Sequence, residues 1–261
     1  MQTITSTSNE KIKQIAFFSR KASARKEEGV FIAEGTKLVR EAPGDLIREI
    51  YISESCLEKE KESILKGFDD KSIVVSDRVF EKISTMKSPQ GMLAVISSLS
   101  YKKEDITKGD PLILVLEDIQ DPGNVGTIFR TAEAAGVTGI VLSEKCADPL
   151  SPKVVRSTMG AIFRMPFIIS SDIPSLVKEF ENDGINCFAA RLENGKPFYE
   201  CDLTGKCAII IGNEGSGLSP EVNGAASCGI YIPMNGGTES LNAAVSASIL
   251  SYEAGRQRKI I

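Results

Sequence analysis

The chain has 261 residues, 42% of them apolar and 25% charged, with a net charge of −4 and no histidine. This mixture excludes a disordered or fibrous chain and suits one large or two ordinary globular domains, and no run of about 18 apolar residues exists to span a membrane. Without imidazole the usual general base and the Ser-His and Cys-His nucleophiles are missing, so any chemistry must rest on Arg, Lys, carboxylate, hydroxyl or a reactive cofactor.

The opening segment, Met1-Gln2-Thr3-Ile4-Thr5-Ser6, is too polar for a signal peptide. The spacing of Ile12, Ile15, Ala16 and Phe18 predicts a helix over 9–25. Strands are expected at 30–33, 47–52, 73–75 and 93–96, with helices at 36–41, 57–66 and 77–83 between them. This alternation predicts a small α/β sandwich over residues 1–98. Residues 1–40 carry eight basic side chains (Lys11, Lys13, Arg20, Lys21, Arg25, Lys26, Lys37, Arg40) against four acidic ones (Glu10, Glu27, Glu28, Glu34). That excess can attract phosphate although the whole chain is acidic, and it can equally be a solvated helix face. The six cysteines (56, 146, 187, 201, 207, 228) show no close paired spacing, which speaks against zinc, and no metal site is expected. Cys187 and Cys207 sit in apolar runs and read as small buried thiols in a reducing cytoplasm.

Apolar periodicity is lost from Ser97 to Asp110, and residues 99–110 are assigned as a linker. A second domain, 111–261, opens with Leu112-Ile113-Leu114-Val115-Leu116, a continuous apolar run of the kind buried on both faces of a parallel sheet. Strands then follow at 139–142, 167–169, 186–189, 207–211 and 229–232. Helices alternate with them at 124–135, 153–159, 174–182, 219–225 and 240–255.

Three polar, glycine-rich loops follow strands of this second domain. In Asp121-Pro122-Gly123-Asn124-Val125-Gly126 the spacing makes Asn124 a helix cap and Gly136 a helix stop. Val125, Ile128, Phe129, Ala132 and Ala135 share the buried face of that helix. Arg130 points away from it, beside Gly126, whose missing side chain leaves the backbone approachable. The loops Gly212-Asn213-Glu214-Gly215-Ser216-Gly217 and Met234-Asn235-Gly236-Gly237-Thr238-Glu239-Ser240 leave neighbouring strands and imply one pocket at the sheet's edge. Thr238, Ser240 and Asn242 crowd the start of the helix that follows. None of the loops carries the dinucleotide or P-loop pattern.

Taken together and in order, the blocks Leu116–Arg130, Ile211–Leu218 and Ile232–Asn242, with the further segment Ser151–Ala161, resemble the SpoU (TrmH-like) RNA ribose 2′-O-methyltransferases of the SPOUT superfamily. In the first domain Phe31–Gly35 and Gln90–Ala94 are similar to the family's substrate-binding module. The resemblance implies an α/β catalytic domain with a parallel sheet and a C-terminal trefoil knot, an exception to the rule against threaded chains, preceded by a small α/β domain that binds RNA. It implies S-adenosylmethionine as cofactor, contacted by Gly212, Ile232, Leu241, Ala190 and Met234. The glycine at 212 would let adenosine reach the backbone. Arg130 matches the catalytic arginine, and Glu214, Asn124, Ser240 and Asn242 match polar positions that orient Arg130 or the ribose, although Ser240 and Asn242 can equally be helix caps. A guanidinium is a poor proton acceptor, so the expected role of Arg130 is to hold a phosphate and stabilise charge on the 2′-oxygen, with proton acceptance by Arg130 left open as a second role. The implied partners are RNA, ribosomal RNA with transfer RNA as the alternative substrate, and a second copy of the chain in a homodimer. Two alternatives are a catalytically silent RNA-binding or ribosome-assembly protein and a nucleotide-dependent oxidoreductase.

Overall fold

A computed structural model describes residues 2–60, 68, 70–237 and 240–261. They form a first unit, Met1–Leu99 with Asp148–Phe163, and a second, Ser100–Ala147 with Arg164–Ile261.

The first unit is built on five strands, β1 (Gln2–Ile4), β2 (Val30–Glu34), β3 (Ile47–Ser53), β4 (Ser72–Val75) and β5 (Met92–Ser97), in the order β1-β4-β3-β5-β2. β1 and β3 run parallel to β4, whereas β5 is antiparallel to β3 and β2. β1 was not expected, because three residues are too few to show alternation. The helix expected over 9–25 is two helices, α1 (Glu10–Arg20) and α2 (Ala22–Glu28), parted at Lys21 (φ −117°, ψ 113°). Neither glycine nor proline marks that break. Asn9 caps α1 by accepting from the Lys11 N–H at 3.0 Å, and Ile12, Ile15 and Phe18 turn inward as their spacing predicts. The helices α3 (Thr36–Glu41) and α5 (Asp77–Ile83) coincide with the expected ones. Of the helix expected over 57–66, α4 (Glu54–Glu60) is seen; positions 61–66 lie outside the described residues. Val79, Phe80 and Ile83 join Ile12, Ile15 and Phe18 in one core on the sheet.

The first unit also includes a stretch from the middle of the chain. Its helix α8 (Pro152–Ser157) packs on β2, and the Phe163 ring lies 6.1 Å from that of Phe31. Arg25, 5% exposed, donates to the Phe18 carbonyl at 2.9 Å and pairs with the Asp148 carboxylate. Segment 151–161 therefore packs with the N-terminal residues, although by sequence it falls inside 111–261. The helix expected over 153–159 stops at Ser157 because Met159 (φ 52°) and Gly160 (φ 93°) are left-handed.

The second unit is a seven-stranded parallel sheet in the order β10-β12-β9-β11-β6-β7-β8. Its strands are β6 (Leu112–Leu116), β7 (Gly139–Ser143), β8 (Phe167–Ser170), β9 (Asn186–Ala190), β10 (Gly195–Pro197), β11 (Cys207–Ile211) and β12 (Cys228–Tyr231). Every residue of β6, β7 and β11 is buried, as their unbroken apolar runs require. Only β10, with its Gly-Lys-Pro sequence, gave no advance signal. The helices are α6 (Lys103–Ile106), α7 (Pro122–Ala134), α9 (Ile173–Asn182), α10 (Pro220–Ala225) and α11 (Ala243–Gln257). α6 lies in the expected linker and anchors it, since Ile106 is fully buried. Burial raises the thiols of Cys187 and Cys207 above the ordinary cysteine range. From β6 the chain steps outward through β7 to β8, and its later strands fill the other side. In open α/β sheets ligands bind outside the C-terminal ends of the strands.

Candidate functional site

The connections leaving the C-terminal ends of β9, β11 and β12 enclose a cavity of about 420 Å3. Ala190, Gly212, Ile232, Met234 and Leu241, the five residues matched to cofactor contacts, all line it, as do Glu214 and Ser240. Ile211, Ile230 and Leu250 add apolar surface, and Arg191 and Glu214 add opposite charges. β12 ends at Tyr231, one residue earlier than expected. Ile232, Met234 and Leu241 thus lie outside strand and helix, with their backbone groups unclaimed by either ladder. Thr238 and Glu239 lie outside the described residues.

The loop after β11 is shaped by Asn213. Its side-chain oxygen accepts from the N–H groups of Gly215 (2.9 Å) and Ser216 (3.1 Å), and its amide nitrogen donates to the Asp118 carbonyl at 2.8 Å. Backbone bonds in both directions between Asn213 and Gly217 close the loop. A Cβ at position 212 would come within 2.4 Å of the Gly217 carbonyl carbon and 2.5 Å of the Leu218 nitrogen. The glycine is thus required by the loop folding back on itself, before any ligand is considered.

Asp118, at the end of β6, holds φ 57°, an uncommon conformation for a residue with a side chain. Ser143 secures it from both sides, accepting from the Asp118 N–H at 2.9 Å and donating to its carboxylate at 2.7 Å. Next to it, Glu117 accepts from the N–H and hydroxyl of Ser219 at 2.8 and 2.6 Å and so ties the start of α10 to β6. Sequence reasoning singled out none of Glu117, Asp118, Asn213, Ser219 and Arg191. The first four lie within or beside the recognised blocks, and Arg191 directly follows Ala190.

The cap of α7 is Asp121, which accepts from the Asn124 N–H at 2.9 Å, and not Asn124 as expected. Pro122 takes the first helical position, where its missing N–H costs nothing. Asn124 is thereby free to use its side chain elsewhere. Its amide donates to Glu214 at 2.5 Å, and its oxygen accepts from Asn242 at 3.0 Å. Asn242 is itself the cap of α11, accepting from the Ala244 and Val245 N–H groups at 2.9 and 3.3 Å. The two readings of Asn242, cap and site residue, therefore hold together. α11 starts at Ala243, so Ser240 stays in the loop, exposed at the cavity.

Arg130 is exposed on α7, opposite the buried Val125, Ile128, Phe129 and Ala132, as its spacing predicts. It makes no hydrogen bond or ion pair among the described residues and is not part of the cavity lining. Asn124, Glu214 and Asn242 hydrogen-bond one another. Gly126 is buried and offers no open notch. In the basic N-terminal segment, Lys11 pairs with Glu49, Lys13 with Glu10, Arg25 with Asp148 and Arg40 with Glu60. The phosphate-attracting patch is accordingly smaller than its residue count implies.

A parallel α/β sheet with a polar, glycine-lined cavity at the C-terminal ends of β9, β11 and β12 defines a small-molecule ligand site. Residues 111–252 match the SpoU rRNA Methylase family, and residues 9–94 match the MRM3-like substrate binding domain. The chain is 32% identical over 256 residues to the 23S rRNA (guanosine(2553)-2′-O)-methyltransferase RlmP of Bacillus subtilis, covering 97% of this chain and 98% of that one. Among solved structures, the AdoMet-bound rRNA methyltransferase of Sinorhizobium meliloti superposes with a TM-score of 0.84 at 28% identity, over 98% of this chain and 97% of that one. The SpoU methyltransferase AviRb of Streptomyces viridochromogenes, in complex with the cofactor AdoMet, gives 0.84 at 25% identity over 97% and 100%. The chain belongs to the SpoU rRNA methylase family and is a methyltransferase acting on RNA.

Proposed function

We propose that the protein transfers a methyl group from S-adenosylmethionine to a ribose 2′-hydroxyl of structured ribosomal RNA. The observation that carries this reading is the chain of directed hydrogen bonds from the α11 N-terminus through Asn242 and Asn124 to Glu214 at the cavity. A cavity of about 420 Å3 is in the range of roughly 300–1,000 Å3 usual for small-molecule sites. It combines apolar walls for an adenine (Ile211, Ile232, Leu241), loop backbone outside strand and helix at Ile232 and Leu241 for its edge, and opposite charges in Arg191 and Glu214. These residues fit S-adenosylmethionine, which supplies an activated methyl group when bound.

The protein's part is alignment and charge. In this reading Glu214, hydrogen-bonded by Asn124, and the Ser240 hydroxyl, both lining the cavity, orient the acceptor ribose. Arg130 holds the adjoining phosphate and stabilises negative charge growing on the 2′-oxygen. RNA specificity follows from the acceptor, since DNA lacks the 2′-hydroxyl. The name of the Bacillus subtilis relative specifies a 2′-O position in 23S rRNA, which favours ribosomal over transfer RNA.

Arg130 lies outside the lining of its own cavity, which supports a site completed by a second copy in a homodimer. Val245 and Tyr252, 45% and 46% exposed and seven residues apart on α11, provide an apolar stripe for such a two-fold contact. A trefoil knot threading the segment after β12, and a cytoplasmic setting, complete the reading. Six free cysteines accord with a reducing compartment.

The test is transfer of radiolabelled methyl groups to an unmodified 23S rRNA transcript, followed by nucleoside analysis. Wild type should yield 2′-O-methylated nucleosides, and Arg130→Ala should be slower by about 100- to 1,000-fold while S-adenosylhomocysteine still raises the melting temperature. Base-methylated products, or equal rates for both proteins, would overturn the reading.

A further inference from the structure

The first unit has a cleft of about 100 Å3 lined by Glu34, Gly35, Lys37, Gln90, Arg156 and Met159, among others. Arg156 comes from α8, within the stretch matched to the methylase family rather than to the substrate-binding domain. Arg156 is half-buried, and its guanidinium donates to the Thr85 hydroxyl at 3.3 Å. Thr85 donates in turn to Glu34 at 3.0 Å. Glu34, 3% exposed, also accepts from the Thr85 N–H at 3.0 Å and from the Ser84 hydroxyl. Its carboxylate thus accepts from neutral donors, and Arg156 is oriented through a hydroxyl, with no ion pair among the described residues. Lys37 is exposed and makes no ion pair among the described residues. Glu41, the second carboxylate of the cleft, is itself engaged. Met159 stands 49% exposed in the left-handed conformation, a strained arrangement that tends to occur where a surface is used.

Two cations without a direct counter-ion among the described residues, one of them pre-oriented, beside an exposed apolar side chain suit an RNA backbone: phosphate contacts position a nucleic acid, and oriented guanidinium groups bind phosphate strongly. We infer that segment 148–163 belongs to the RNA grip of the first unit, with Arg156 and Lys37 binding backbone phosphate and Thr85 and Glu34 positioning Arg156. This rests on the RNA methyltransferase reading above. It gives the substrate-binding surface a contribution from the sequence that otherwise matches the catalytic family.

The test is filter binding of the full-length protein to an unmodified 23S rRNA transcript, and to tRNA transcripts, between about 50 and 200 mM KCl. Arg156→Gln and Lys37→Gln should each weaken binding about ten-fold and lower the slope of log K against log salt by about 0.7–0.9, one phosphate contact. Thr85→Val, which keeps the charge but removes its anchor, should weaken binding less and leave the slope intact. Stabilisation by S-adenosylhomocysteine should be unchanged in all three. Wild-type affinity and slope in both charge variants would overturn the inference. Met159→Ala, at an exposed position of the same segment, should also weaken binding and decides for the segment if Arg156→Gln does not fold: wild-type affinity in that variant would overturn the inference. Failure of the wild type to bind or methylate either RNA would sink the methyltransferase reading, and this inference with it.

Discussion

Asn242 donates a hydrogen bond to Asn124 across 118 residues of chain, at 3.0 Å. The bond has only one direction available, because the Asn242 oxygen is held by the first N–H groups of α11. Its amide nitrogen must therefore face Asn124, whose own amide is left to donate to Glu214. The order of these groups transmits the position of a helix end to a carboxylate at the cavity.

Asn124→Ala cuts this chain at its middle. The expected result is a fall in methyl transfer of about 10- to 100-fold from loss of alignment, with little change in melting temperature, because Asp121 rather than Asn124 caps α7. Single-turnover rates and thermal melts on the same samples check it. Asn242→Ala should in addition destabilise the fold by about 1 kcal/mol through loss of the α11 cap.

Gly212→Ala places a methyl group against backbone atoms that cannot yield cheaply. A loss of about 1–3 kcal/mol of stability is expected. Weaker stabilisation by S-adenosylhomocysteine should accompany it, since the same loop lines the cavity. Calorimetry with and without the ligand reads both effects, and an unchanged melting temperature would refute the steric account.

Glu253, with a side chain 10% exposed, accepts from two nitrogens of Arg256 and from Gln257, each at 2.8 Å. The bond to Arg256, joined by that to Gln257 and the Arg256 charge, holds its carboxyl below the usual glutamate value. A depressed folded pKa stabilises the protein above the unfolded value, about 4.3. That contribution fades as pH falls from there through the folded value. Glu253→Gln should therefore flatten the acid limb of a plot of melting temperature against pH, with its effect confined to the region near and above pH 4.

Arg25→Ala removes the Phe18 carbonyl's donor and the partner of Asp148. Because Asp148 is 39% exposed and can be rehydrated, the expected cost is about 1.5–3 kcal/mol, less than for a fully buried pair. Asp148→Asn should cost more than Arg25→Ala, because it leaves the buried Arg25 guanidinium without its counter-charge. Urea unfolding of the full chain measures the difference.

The chain's periodicity and punctuation determined much of this molecule on their own. Runs such as Leu112–Leu116 and Cys207–Ile211 can be buried only on both faces, and they mark the centre of the parallel sheet. The wheel of α7 set Arg130 outside and Phe129 inside. The residues matched to the cofactor share one cavity because neighbouring parallel strands deliver their loops to the same edge. Tertiary structure decided what depends on distant partners. Asp121 and Asn124 are both good caps, and only the position of Glu214 and Asn242 shows which one is free for the site. Ser151–Ala161 reads as part of the second domain, yet Phe31, Phe163, Arg25 and Asp148 place it in the first unit. Local sequence carries backbone preference and the pattern of one face, whereas the pairing of a polar side chain is settled by whichever group the fold brings within about 3 Å.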